Sequence, residues 1–127
     1  MDHNPPKKTG IARIWAAFSY SLNGLRFAIS NEAAFRQEVC IVSIVTVVLL
    51  FLPLSFVWKG LLFFATTAVL VVELLNSAIE SVVDMVSPEY HILAKRAKNL
   101  GSAAVLMSIV FAVVLWSGAI FIILQGG

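Results

Sequence analysis

The chain has 127 residues, 60% hydrophobic and 13% charged, with a formal net charge of +2 and a mean hydropathy of +0.94. A single small domain of that balance has too much apolar surface to cover in water, so a soluble globule is excluded and lipid is the expected solvent. The small net charge argues against nucleic acid as a partner, and the lone Cys40 excludes an internal disulfide or a cysteine metal site.

Taken in order, residues 1–9 are polar, contain Pro5 and Pro6, and are expected to be a disordered amino terminus without a signal-peptide pattern. Ile11, Ile14, Trp15, Phe18, Leu22, Leu25 and Ile29 recur at steps of three and four, which predicts an amphipathic surface helix over 10–29. Asn31 reads as the N-cap of the next helix, with Glu32 in its first turn, leading into a membrane span over about 32–52. Pro53, Ser55, Lys59 and Gly60 mark a tight turn at one membrane face, with Trp58 and Lys59 as interfacial anchors. A second span is expected over 60–86. The polar segment from Ser87 to Lys98 reads as a loop with a helical turn or two, and a third span is expected after Gly101 and Ser102, over 101–124.

The resulting fold class is an all-α integral membrane protein: three transmembrane helices and a surface helix in one domain over 10–127. Eight of the nine basic residues lie in the amino-terminal segment up to Arg36 or in the loop between the second and third spans. The positive-inside rule therefore puts the amino terminus and the second loop in the cytoplasm and the carboxyl terminus outside.

The second span carries charges that lipid disfavours. Glu73, Asn76, Glu80 and Asp84 fall at about 0°, −60°, −20° and +20° around a helix of roughly 100° per residue, forming one narrow polar stripe. Glu73 lies about 20 Å along from Gly60 at ~1.5 Å per residue, past the midplane, with Glu80 near the headgroups and Asp84 just beyond. An acid at membrane depth costs roughly 2.5 kcal/mol or more, so such groups face a partner, a cavity or a pathway. Carboxylates beside Lys95, Arg96 and Lys98 suit a divalent cation and a polyphosphate, because hard cations take oxygen ligands and phosphate needs positive donors. The chain has no Gly-rich phosphate loop, so side chains and metal would have to hold any nucleotide.

The run from Val72 to Asp84, Val-Glu-Leu-Leu-Asn-Ser-Ala-Ile-Glu-Ser-Val-Val-Asp, closely resembles the signature of the prokaryotic diacylglycerol kinases. So do Asn31-Glu32-Ala33-Ala34-Phe35-Arg36-Gln37-Glu38, Glu89-Tyr90-His91, Arg96-Ala97-Lys98 and Gly101-Ser102-Ala103-Ala104. The match is colinear from about Gly10 to the third span, and Asn31–Glu38 is more similar to the diacylglycerol kinases than to the related undecaprenol kinases. The resemblance implies a homotrimer in the bacterial inner membrane that transfers the ATP γ-phosphate to the hydroxyl of diacylglycerol, giving phosphatidic acid for phospholipid recycling. It implies Glu73 as general base, Glu32 and Glu80 as ligands of the magnesium that accompanies ATP, and Arg13 and Lys98 as phosphate contacts. Tyr20, Glu89, Tyr90, His91 and Asn99 match nucleotide positions. Arg26, Arg36, Gln37, Glu38, Asn76, Asp84 and Ser102, with Arg13 and Glu73, match substrate-binding or supporting ones. Asn99 stands where the family usually has Asp, keeping a hydrogen bond to a ribose hydroxyl but losing the charge.

The residues themselves fit that role. Phosphoryl transfer needs positioning and charge neutralisation, which magnesium, Lys98 and Arg13 supply, and Glu73, the deepest acid, suits a group that takes a proton from an alcohol. Arg36 and Glu38 read equally as a local ion pair or as groups ordering a substrate headgroup. Tyr90 and His91 can stack on adenine or anchor the loop at the interface. Ser102 and Ala104 are small enough to let helices approach. Two other classes compete: a small proton-coupled oligomeric transporter using Glu73, and an accessory subunit whose stripe binds another membrane protein. The transporter lacks a polar continuation toward Lys59, and the accessory subunit leaves the basic loop unexplained. Three helices are too few to wrap both ATP and lipid, so sites shared between subunits are expected.

Overall fold

The computed structural model describes residues 4–126; residues 1–3, where the expected disordered terminus begins, and residue 127 lie outside the described residues. Four helices follow in order: α1 (Gly10–Asn31), α2 (Ala33–Phe51), α3 (Phe56–Val86) and α4 (Ile92–Leu124). α2, α3 and α4 are long and apolar enough to cross a membrane. At ~1.5 Å per residue α3 and α4 are about 46 and 50 Å long, so both outrun a hydrocarbon core of roughly 30 Å. The chain divides into two compact units, residues 1–36 and 37–127.

In the first unit, α1 carries the expected amphipathic pattern and runs two residues beyond 29. Asn31 does not cap α2. It is the last residue of α1, and its Nδ2 donates to the Phe27 carbonyl at 3.0 Å. Glu32 breaks the helix with extended backbone (φ −115°, ψ 104°): its N–H still bonds Ala28 O at 3.0 Å, and its carbonyl accepts from Arg36 N at 3.1 Å. Glu32 is thus the joint between α1 and α2, one residue later than the cap pattern predicts.

In the second unit, the Pro53 ring and the restriction it places on Leu52 end α2. Ser55 restarts the chain as N-cap of α3, its Oγ accepting from Trp58 N at 3.3 Å, and Lys59 Nζ reaches back to Leu50 O at 2.9 Å. Above this turn Leu49 of α2, Leu62 of α3 and Ala119 of α4 form a small buried cluster, against which Leu52, Leu54, Trp58, Leu115 and Trp116 pack. Trp58 is therefore a packing residue of the turn. Trp116 Nε1 donates to Thr66 Oγ1 at 3.0 Å, tying α4 to α3. Most other span hydroxyls return to a carbonyl three or four residues back, as Ser43, Thr46, Thr67 and Ser117 do, which satisfies them without water.

At the far end of the α3–α4 pair the linker is only Ser87–His91. His91 caps α4, its Nδ1 accepting from Leu93 N at 3.1 Å. The expected loop with a separate span after Gly101 is thereby corrected: α4 is one 33-residue helix from Ile92, and Lys95, Arg96 and Lys98 ride on its first two turns. Gly101 does not interrupt it, because the glycine is buried against α3.

Candidate active site

The predicted residues fall into two sets. Arg13, Tyr20, Arg26, Glu32 and Arg36 belong to the amino-terminal unit. There Arg13 and Tyr20 stand seven residues apart on α1, on one face. Arg36 turns its Nη1 to the carbonyls of Ile29 and Ser30 at 2.8 and 3.0 Å. Rather than pairing with Glu38, the guanidinium caps the carboxyl end of α1 and clamps the joint that carries Glu32. Sequence reasoning missed this because the contact spans six and seven residues across a helix break.

The second set lies on α3, α4 and the start of α2. α3 is unbroken from Phe56 to Val86, so Glu73, Asn76, Glu80 and Asp84 form the expected stripe. Glu73 and Asn76 are half-buried, while Glu80 and Asp84 are exposed. The row grades from protected to open along one helix face. Asp84 pairs with Lys98 at 2.5 Å, and Glu80 is near enough to act on the same ammonium. Asn76 Nδ2 lies 3.5 Å from Glu80 Oε1.

Beyond Asp84 a pocket of about 360 Å³ opens at the α3–α4 corner. Asp84, Glu89, Tyr90, His91, Lys98 and Asn99 line it, together with Lys95, so one cavity gathers every nucleotide residue predicted between 84 and 99. Two carboxylates, two ammonium groups, a phenol ring, an imidazole and an amide around a concave, open space make a polar receptor for a charged, planar ligand. His91 faces this pocket but spends its Nδ1 on the helix cap.

Glu38 also departs from its expected pairing. Its carboxyl meets that of Glu73, and its Oε2 is buried without a hydrogen-bond partner. Glu38 further stands at one end of a lateral groove of about 710 Å³ between α2 and the α3–α4 pair. The groove is otherwise apolar except for Thr66, Trp116 and Ser117, and contains Ile41, Val45, Val48, Leu70 and Ile109. An acidic head and a long apolar body match an amphiphile lying along the helices. Gln37 and Ser102 are exposed and line neither space.

Among the described residues no group of three or more His, Cys, Asp or Glu side chains is preassembled for a metal. Magnesium needs less than that: it binds through one or two carboxylates together with substrate phosphates and water. The exposed carboxylate of Glu80 is an oxygen donor of the kind such an ion takes.

Helices that can span a membrane, a graded acidic stripe, a polar pocket at its open end and an apolar groove at its deep end define a membrane enzyme acting between a water-soluble and a lipid reactant. A family model for prokaryotic diacylglycerol kinase matches residues 19–121. The chain is 49% identical over 108 residues to the diacylglycerol kinase of Escherichia coli (strain K12), covering 85% of this chain and 88% of that one. It is 43% identical over 118 residues to the diacylglycerol kinase of Pseudomonas aeruginosa (92% and 96% covered) and 41% over 112 residues to that of Helicobacter pylori (88% of each). The chain belongs to the prokaryotic diacylglycerol kinase family, ATP-dependent lipid kinases of the membrane. The transporter and accessory-subunit alternatives fall with that membership.

Proposed function

We propose that the α3 stripe is the reaction path of this kinase, with ATP entering at Asp84 and diacylglycerol at Glu73. The observation that carries the reading is the order along one helix face: polar pocket, exposed Glu80, half-buried Glu73, then Glu38 and the apolar groove. The groove suits an acyl chain, which would leave the lipid hydroxyl beside Glu73. Glu73 takes the hydroxyl proton as the alkoxide oxygen bonds to the γ-phosphorus; the bond from that phosphorus to the bridging oxygen breaks, and ADP departs with the electron pair. Phosphatidic acid remains in the lipid phase.

Lys98, tied to Asp84, offers its remaining donors to the phosphates, and Tyr90 and His91 flank the base. Asn99 hydrogen-bonds the ribose and Glu89 lines the same pocket. Glu80 would hold magnesium, which when bound neutralises phosphate charge, and Glu32 on the amino-terminal unit is the other magnesium ligand that the family resemblance implies. Arg13 and Tyr20 on α1 are the phosphate and nucleotide contacts, and Arg26, Arg36, Gln37 and Ser102 the substrate-binding or supporting residues, that the family resemblance implies. The family resemblance also implies a homotrimer, with sites completed by a neighbouring subunit. The basic residues at the amino terminus and on the first turns of α4 support a cytoplasmic site in the bacterial inner membrane. Lipid phosphorylation by the purified chain, assayed with radiolabelled ATP on diacylglycerol and undecaprenol in parallel, tests the reading. Labelled phosphatidic acid is expected to dominate; faster labelling of undecaprenol would reassign the acceptor.

A further inference from the structure

A glycine in the middle of a helix is unfavourable relative to alanine, so a persistent one asks for a reason. Gly101 lies inside α4 with ordinary helical φ, so backbone conformation is not the reason. Space is. A Cβ built on Gly101 would overlap Asn76 Oδ1 and lie 3.2 Å from Asn76 Cγ and 3.9 Å from its Cβ. At Gly24 and Gly60 a Cβ would meet nothing within 4 Å, and at Gly118 it would make an ordinary 3.5 Å contact with Trp58. Gly101 is buried and opens a notch for one particular side chain.

Asn76 Oδ1 is buried with no conventional hydrogen-bond partner. It lies in the direction of the Gly101 Cα–H that stands where a Cβ would be, so a weak C–H donor faces it. The other edge of the amide, Nδ2, faces Glu80 Oε1. At 3.5 Å that contact is long, so the grip on the amide comes from the notch more than from the carboxylate. One turn before Gly101 on the same helix, Lys98 meets Asp84.

We propose that Gly101 is a positioning residue for the phosphate-and-metal end of the stripe. By admitting the Asn76 amide edge-on against α4, it fixes the α3–α4 register and holds Nδ2 on Glu80, so that Glu80 presents its carboxylate in one orientation. The inference rests on the reading of Glu80 as a metal-binding acid. Alanine at 101 would displace the amide or α4 itself, loosening Glu80 and Lys98 together.

The test uses Mn²⁺ as probe, titrated by electron paramagnetic resonance against the full-length chain in detergent micelles with a non-hydrolysable ATP analogue. Gly101→Ala, Asn76→Ala, Gly118→Ala and Glu80→Gln are compared with the unaltered chain, with thermal melting measured on each. Gly101→Ala and Asn76→Ala are expected to weaken Mn²⁺ binding about tenfold or more, the usual consequence of disturbing a group that orients a metal ligand. Gly118→Ala should bind as the unaltered chain does. If Gly101→Ala fails to fold, Asn76→Ala decides, since it removes the held amide without crowding the helices. Normal Mn²⁺ affinity in both, with Glu80→Gln weakened, would overturn the inference and leave the metal role of Glu80 standing. Equal weakening in Gly118→Ala would make the effect one of general helix crowding and overturn it as well. Normal affinity in Glu80→Gln would remove the metal assignment and the inference with it.

Discussion

The two ends of the α3–α4 pair are built on opposite principles. Near the 52–55 turn, Leu62 and Ala119 are fully buried with Leu49, and the cross-helix polar contact there, Trp116 to Thr66, is satisfied on both sides. At the Ser87–His91 end, the helices meet through Gly101 and Asn76, an exposed Asp84–Lys98 pair and a pocket open to solvent. One end is dry and complete. The other leaves the Asn76 amide oxygen without a conventional hydrogen-bond partner and turns the Glu80 and Asp84 carboxylates outward. The dry end supplies packing, and the chemistry proposed above lies at the open one.

That division can be broken or sharpened by substitution. The largest stability effect is expected at Leu62→Ala, which leaves a cavity at the three-helix contact and should cost about 2–4 kcal/mol in a reversible detergent-unfolding titration. Turnover per folded molecule should stay unchanged; a fall in kcat comparable to that of a stripe variant would erase the distinction between the ends. Thr66→Val comes next. It strands the Trp116 Nε1 donor in apolar surroundings and should cost roughly 1–2 kcal/mol in the same titration, again with normal kinetics. The smallest effect is expected for Asp84→Asn, since a solvent-exposed ion pair is screened and adds little to stability. Its melting curve should barely move while KM for ATP rises, because Lys98 loses the anchor that aims it into the pocket. A large loss of stability with unchanged KM would show the pair to be structural.

Much of this was legible in the sequence, for identifiable reasons. Three spans follow from apolar run length, and the stripe from helical period, neither of which needs tertiary information. The pocket residues from Asp84 to Asn99 are close in the chain, so a short turn must bring them together. What the sequence withheld depends on which helix faces which. Gly101 reads as a punctuation mark before the third span until Asn76 is seen against it. Arg36 and Glu38 are two residues apart and read equally as an ion pair or as groups ordering a headgroup, yet one turns back to the α1 carbonyls and the other to Glu73. The one-residue error at Asn31 has a similar origin, since its side chain bonds Phe27 behind it and not a backbone N–H ahead. His91 showed its aromatic character in the sequence but not its duty as helix cap.

Replacement of Glu73 by Gln tests the central claim most directly, because it removes a proton acceptor while preserving shape. With the purified variant, phosphatidic acid formation from labelled ATP should fall by roughly 10²–10⁴-fold, the range for loss of a general base, with melting temperature and nucleotide affinity unchanged. Turnover within a few-fold of the unaltered chain would contradict the account, and the stripe would have to be read as structural.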